Sequence, residues 1–282
     1  MMYNEPAGES AVSAVAAVAP EGHTVRAPTS TLCKLAGWAG AGGLPEGAVL
    51  MHQADWLAWL LHGEYGLTDA NNALKLGYDP GAAEYPAWLR QQPWASALPA
   101  RVVEPGEAAA EVTAEASLRF GLPAGCAVCG GTTDSVAAFV AAGASEEGEA
   151  VVSLGSTMAV KLVSAARVES VEHGVYSHRL FGRWLVGGAS NAGGEALLTA
   201  FTREELAALS ERIDPSEPST HDFYPLPRPG ERFPVNDPSM QPRMGPRPED
   251  DAEYLHGLLE GLARVEAEGF ALLAKMGGSP VR

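Results

Sequence analysis

Cysteine is scarce in this chain. Its 282 residues hold three, Cys33, Cys126 and Cys129, and so small and odd a number argues against a disulfide-stapled scaffold and for a reducing compartment. Cations are also few, with 19 Lys and Arg against 35 Asp and Glu and a formal charge of −16. That balance argues against nucleic acid and anionic membranes as partners, since both need clustered positive charge. Long apolar runs are absent. The longest alanine-rich stretch, residues 10–19, is about half of the roughly 20 residues that a membrane span needs. The opening MMYNEPAGES has neither the basic leader nor the apolar stretch of a secretory signal. The seven histidines are scattered without an H-x-x-x-H pair, so no protein-built metal centre is expected.

What is present belongs to an ordinary globular protein: 46% apolar and 19% charged residues, spread along the chain. The length suits two domains; the texture changes near Ala100, and the boundary is placed within 118–122, giving domains 1–120 and 121–282. Helices are expected at 10–19, at 31–39 behind a Ser30 cap, at 54–62 closed by Gly63, and at 85–91. The Asn- and Asp-rich residues 68–80 read as an ordered loop. Strands are expected at 101–103 and 126–129, the latter burying Cys126 and Cys129, and a helix at 135–142. Two hairpins follow, one over 150–162 around Gly-Ser-Thr and one over 174–188 turning at Phe181-Gly182. The proline-rich residues 213–248 read as a long surface connection. Residues 250–276 form an amphipathic helix with Leu255, Leu258, Leu262 and Val265 on one face.

The informative stretch is CGGTTDSVAAFVAAGASEEGEAVVSLGSTMAVKL, residues 129–162. Asp134 opens a helix, where the helix dipole and free N–H groups favour the carboxylate. Taken alone it reads as a helix cap; taken as a base, it is suited to accept a hydroxyl proton. Gly155, Ser156 and Thr157 turn between apolar strands, which leaves backbone N–H groups and two hydroxyls pointing outward, a nest that suits phosphate oxygens. A G-G-x-x-D start followed some twenty residues later by such a turn is a more specific signal than either part.

That pairing resembles the second half of the FGGY carbohydrate kinases, which have the α/β actin-like ATPase (ribonuclease-H-like) fold in two domains. PTSTLCKLAGW, HQADWLAWLLHG, NNALKLGYD and WLVGGASNAGGEAL also look like the family's pentulose-kinase branch, closest to plant and cyanobacterial D-ribulokinase and xylulokinase-like proteins. The resemblance implies ATP-dependent phosphorylation of a ketopentose, D-ribulose or D-xylulose, with Mg²⁺ carried by ATP and Asp134 as catalytic base. It implies sugar contacts at Asn4, Thr133 and Asp134, although Asn4 reads equally as a solvated turn. Phosphate contacts are implied at Gly155, Ser156, Thr157, Gly193 and Gly194. His52, Asp55 and Lys34 also match family positions, but Asp55 reads as a helix cap and the other two as packing or surface groups.

The family's opening D-x-G-T-x-S-x-R motif occurs nowhere in the chain, and the glycine-rich adenosine motif that follows the family's long helix is missing too. Both domains therefore read as incomplete, with unpaired sheet edges, low stability and impaired turnover expected. Two further readings stand beside the ketopentose kinase. One is a kinase-like protein that binds a sugar or a partner without catalysis; the other is a glycerol or polyol kinase of the same family. The expected compartment is the cytoplasm, or a plastid if a transit peptide has been lost. Oligomeric state carries no sequence signal.

Overall fold

The computed structural model describes residues 5–170 and 172–282. They fall into two compact units, Met1–Ala138 with His178–Gly182, and Phe139–Ser177 with Arg183–Arg282. The boundary expected within 118–122 lies inside the first unit. The strand beyond it, Ala127–Cys129, pairs antiparallel with Ala108–Glu111, so the chain cannot leave that unit before Cys129.

In the first unit α1 (Glu9–Ala16) packs on α2 (Thr31–Gly40), and Val15, Leu32, Leu35, Leu76 and Leu89 form the core between them and the following turns. Ser30 starts α2 by accepting the Cys33 N–H at 3.1 Å. Next come α3 (Gln53–His62), closed by Gly63 at φ 74°, and β1 (Leu67–Asp69), which leads straight into the single helical turn α4 (Ala70–Ala73). After α5 (Ala87–Arg90), β2 (Arg101–Val103) pairs in parallel with β1, Leu67 opposite Arg101. β3 (Ala108–Glu111), α6 (Ala114–Phe120), β4 (Ala127–Cys129) and α7 (Asp134–Ala141) complete the run up to the boundary.

Two expectations fail here. Residues 68–80 are a strand and helical turns rather than a loop, because the Asp69 carboxylate accepts the N–H groups of Asn71 and Asn72, both at 2.9 Å, and so starts α4. The cysteines near β4 are not buried. The strand alternates, with Val128 inward and Ala127 and Cys129 outward, while Cys126 precedes it half-buried.

In the second unit β5 (Ala150–Leu154), β6 (Met158–Ser164) and β8 (Arg183–Ser190) lie side by side in an antiparallel sheet, with Leu154 opposite Met158 and Met158 opposite Ser190. β7 (Tyr176–Leu180), whose last three residues belong to the first unit, leads into β8 through Phe181 and Gly182, whose φ values of 49° and 75° are those of a tight hairpin turn. α8 (Gly194–Leu198) and α9 (Arg203–Ser210) follow, and α10 (Asp251–Lys275) lays Leu255, Leu258, Leu262 and Val265 against Val160, Leu162 and Val186 of the sheet. Among the described residues no helix is long and apolar enough to cross a membrane.

Residues 213–248 contain no helix and no named strand, as expected, but they are not a surface connection. Phe223, Tyr224, Leu226 and Phe233 belong to the core. A Cβ at Gly257 would meet the Phe223 ring at 2.9 Å, and one at Gly269 would meet Phe233 at 2.7 Å. The glycines of α10 are therefore notches into which this segment's aromatic rings fit.

Candidate functional site

The tip of the β5–β6 hairpin is built as the sequence suggests. Leu154 and Met158 are the last paired residues, and the Gly155 N–H donates to the Thr157 carbonyl at 3.0 Å to close the turn. Gly155 and Ser156 are exposed and Thr157 is half-buried. Among the described residues, neither the Ser156 nor the Thr157 N–H donates to another group, and both hydroxyls are unpaired. Two free N–H donors and two hydroxyls at one exposed turn suit an anion with several acceptor oxygens.

The 190–194 loop reaches this tip from the end of β8. The Gly194 N–H donates to the Gly155 carbonyl at 2.8 Å, and the Glu195 N–H to the Ser156 carbonyl at 3.1 Å. The approach leaves no room for side chains: a Cβ at Gly193 would lie 2.5 Å from the Ser156 oxygen, and one at Gly194 2.8 Å from the Gly155 oxygen. Glycine is needed here for backbone approach rather than for φ, since Gly193 is extended at φ 170°. The structure thus brings together the five residues Gly155, Ser156, Thr157, Gly193 and Gly194. Beneath the loop lies Glu231, a buried carboxylate that sequence reasoning missed. It accepts the Ser190 hydroxyl at 2.6 Å and the Asn191 N–H at 2.7 Å.

Asp134 and Thr133 belong to the first unit. Thr133 is buried, and its carbonyl accepts the N–H groups of Val136 and Ala137 at 3.0 and 2.9 Å, fixing the first turn of α7. Asp134, in that turn, is exposed; among the described residues its carboxylate accepts only the adjacent Ser135 N–H, at 2.8 Å. Asn4 lies outside the described residues.

The loop that carries Asp134 is clamped by residues that had been assigned to a loop. Asn71, 0% exposed, donates through Nδ2 to the Thr132 hydroxyl and to the Arg179 carbonyl, both at 2.9 Å, and accepts the Arg179 N–H at 2.8 Å. Asn72 donates to Asp69 at 2.7 Å. Burial holds the Asp69 carboxyl above the usual carboxylate range, and the bonds from Asn72 and Asn71 oppose that rise. A visible signal for this cluster was its setting: Asp69, Asn71 and Asn72 are interspersed with the apolar residues Leu67, Ala70, Ala73 and Leu74. Asp55 caps α3 by accepting the His52 N–H at 2.8 Å, as expected, and also accepts the Thr68 hydroxyl at 2.9 Å, tying α3 to β1. Lys34 is buried.

No family model matches the chain. Among solved structures it is similar to a xylulose kinase from Brucella ovis, with 25% identity over 95% of this chain and 57% of that one at a TM-score of 0.76. A carbohydrate kinase from Novosphingobium aromaticivorans matches at TM-score 0.77 and 19% identity, covering 97% of this chain and 63% of that one. A glycerol kinase from Plasmodium falciparum, solved with ADP, matches at TM-score 0.72 and 17% identity, covering 97% and 59%. The chain therefore spans about three-fifths of the length of these structures. Its fold is the α/β actin-like ATPase fold of sugar kinases, as the sequence resemblance implied.

Proposed function

We propose that the chain is the phosphate- and sugar-handling portion of an FGGY carbohydrate kinase that transfers the γ-phosphoryl group of ATP to a hydroxyl of a ketopentose, D-ribulose or D-xylulose. The observation that carries this reading is the hairpin tip. Among the described residues its Ser156 and Thr157 N–H groups donate to no other group, and a second loop is packed behind it through glycines that admit no side chain. Phosphoryl transfer asks little covalent chemistry of a protein and much placement and charge stabilisation, which such donors supply.

In this reading Gly155, Ser156, Thr157, Gly193 and Gly194 contact the phosphates of ATP, whose bound Mg²⁺ offsets their charge. Asn4 and Thr133 contact the sugar. The Asp134 carboxylate takes the proton of the accepting hydroxyl as that oxygen bonds to the γ-phosphorus, and the bond to the ADP oxygen breaks with its electron pair leaving on ADP. An exposed carboxylate with a single backbone partner is free to make that contact. Three free cysteines suit a reducing cytoplasm.

A coupled ADP-release assay with MgATP against ribulose, xylulose and glycerol tests the reading. Release with a ketopentose, lowered about 10²–10⁴-fold by Asp134→Ala, is expected. Release with glycerol alone would move the acceptor to a polyol. A second reading is sugar binding without turnover. Sugar binding by a folded chain that releases no ADP would establish it in place of the first.

A further inference from the structure

Glu231 is an unusual residue to find buried. It sits among prolines in a segment without regular structure, is 2% exposed, and among the described residues has no cation paired with it. Burying an ionised carboxylate is costly unless hydrogen-bond donors replace its water. Here they do. One oxygen accepts the N–H groups of Asn191 at 2.7 Å and Arg232 at 2.8 Å, with Phe233 at the limit of 3.5 Å. The other accepts the Ser190 hydroxyl at 2.6 Å and the Tyr224 hydroxyl at 3.0 Å. The Tyr224 phenol is held in its protonated, donating form, since burial and the Glu231 charge both push its pKa up.

The direction of these bonds matters more than their number. Ser190 can offer its proton to Glu231 because its oxygen accepts the Ala192 N–H at 2.9 Å, and Asn191 adds a bond from Nδ2 to the Gly230 carbonyl at 3.0 Å. Residues 190–192 are thus gripped on one side by residues 230–231. Residues 193–195 then run directly onto the carbonyls of Gly155 and Ser156. The line of contact passes from a buried charge, through one loop, to the back of the hairpin tip, and every step is a hydrogen bond or a glycine contact that tolerates little displacement.

We propose that Glu231 is a positioning residue for phosphate binding. By anchoring residues 190–192 it sets the height at which Gly193 and Gly194 meet the hairpin, and so the direction in which the Ser156 and Thr157 N–H groups point. This inference rests on the kinase reading of the hairpin. A carboxylate suits the task because it accepts several donors and offers none, so neither serine, asparagine nor tyrosine can bond to it in a reversed sense. Glu231 itself does not touch the tip and takes no part in the chemistry.

The sign of the effect separates positioning from simple electrostatics. Glu231→Gln removes a negative charge, so if Glu231 were only a nearby charge, the variant would hold phosphate as well as or better than wild type. If it positions the loop, the new NH₂ group cannot accept the Ser190 or Tyr224 proton, so these hydroxyls must turn round, Ser190 in competition with the Ala192 N–H it already accepts, and the loop loosens. The experiment measures binding of MgATP and of D-xylulose and D-ribulose to the full chain by titration calorimetry, with amide exchange followed at Gly194, Glu195, Val160 and Val186. For Glu231→Gln we expect MgATP affinity to fall about 10-fold, the equivalent of one to two lost hydrogen bonds. Sugar affinity stays unchanged, and exchange accelerates at Gly194 and Glu195 but not at the strand residues. Ser190→Ala, which removes one donor, gives the same pattern at about 3-fold and serves if the first variant does not fold. Equal or tighter MgATP binding by the variants, or unchanged exchange at Gly194 and Glu195, overturns the positioning role alone. A wild-type chain that takes up no MgATP removes the kinase reading and the phosphate role of Glu231 with it.

Discussion

Replacing Gly193 with alanine probes the contact that backs the hairpin tip. A Cβ there would stand 2.5 Å from the Ser156 oxygen and 2.7 Å from Thr157 Cα, both main-chain atoms that cannot rotate away. Relieving the clash means parting the two loops by about 1 Å. That motion stretches the Gly194-to-Gly155 and Glu195-to-Ser156 bonds, now 2.8 and 3.1 Å. Overpacking against a rigid neighbour costs about 1–3 kcal/mol, and weakening two hydrogen bonds adds about 0.5–1.5 kcal/mol each. Alanine recovers about 0.4–1 kcal/mol by stiffening the unfolded chain, because the extended backbone at φ 170° admits an L residue. The net cost is about 3 kcal/mol, a fall in melting temperature of roughly 6–12 °C at this size. The fluorescence of Trp184, the single tryptophan of the second unit, reports it in urea and thermal titrations. Gly155→Ala is the control: its Cβ would meet nothing closer than the Thr157 oxygen at 3.7 Å, so a change within about 0.5 kcal/mol is expected. Equal midpoints for the two variants would refute the argument that close backbone approach is what selects glycine at 193.

Two predictions concern the first unit. Asn71→Ala removes three hydrogen bonds between α4, Thr132 and Arg179. It should cost about 2–4 kcal/mol and speed amide exchange at residues 130–134 while leaving the β6 and β8 amides as they were; uniform acceleration across both units would contradict a local clamp. Asp69→Asn should change the pH dependence of stability. A carboxyl whose folded pKa is raised leaves the folded state with more bound protons, so its contribution falls as pH climbs from the unfolded value near 3.8 through the raised folded one. The substituted amide would keep an oxygen to start α4 and carry no charge. The variant's melting temperature relative to wild type should therefore rise as pH climbs above the unfolded value near 3.8; a constant offset would mean that burial does not disfavour the Asp69 charge.

The elements legible in the sequence were those whose burial repeats along the chain. α10 shows its face through Leu255, Leu258, Leu262 and Val265, and the β5–β6 hairpin shows two apolar strands around a three-residue turn. Family-like motifs also pointed to Gly193 and Gly194, but not to the reason for them, because the atoms that forbid a Cβ there belong to residues 155, 156 and 157. Residues 213–248 were misjudged for a related reason. Their core anchors, Phe223, Tyr224, Leu226 and Phe233, follow no period, and proline content reads as exposure when only neighbours in sequence are weighed.

The missing information was nevertheless written in complementary breaches of local rules. Gly257, Gly261 and Gly269 stand in the middle of a 25-residue helix, where each costs about 1 kcal/mol relative to alanine. Such a cost persists when something large occupies the notch, and the segment just upstream supplies Phe223 and Phe233 to fill two of them. Glu231 is a second breach, an acid among prolines two residues from a buried phenylalanine. Phe233 also lies against Gly188 of β8, so the same short stretch that seats this ring between helix and sheet delivers the Glu231 carboxylate to Ser190, two residues further along that strand. The packing of Phe233 and the hydrogen bonding of Glu231 are therefore one structural device. Helix α10 is notched with glycine so that an otherwise irregular segment can hold the loop behind the hairpin tip at a fixed height.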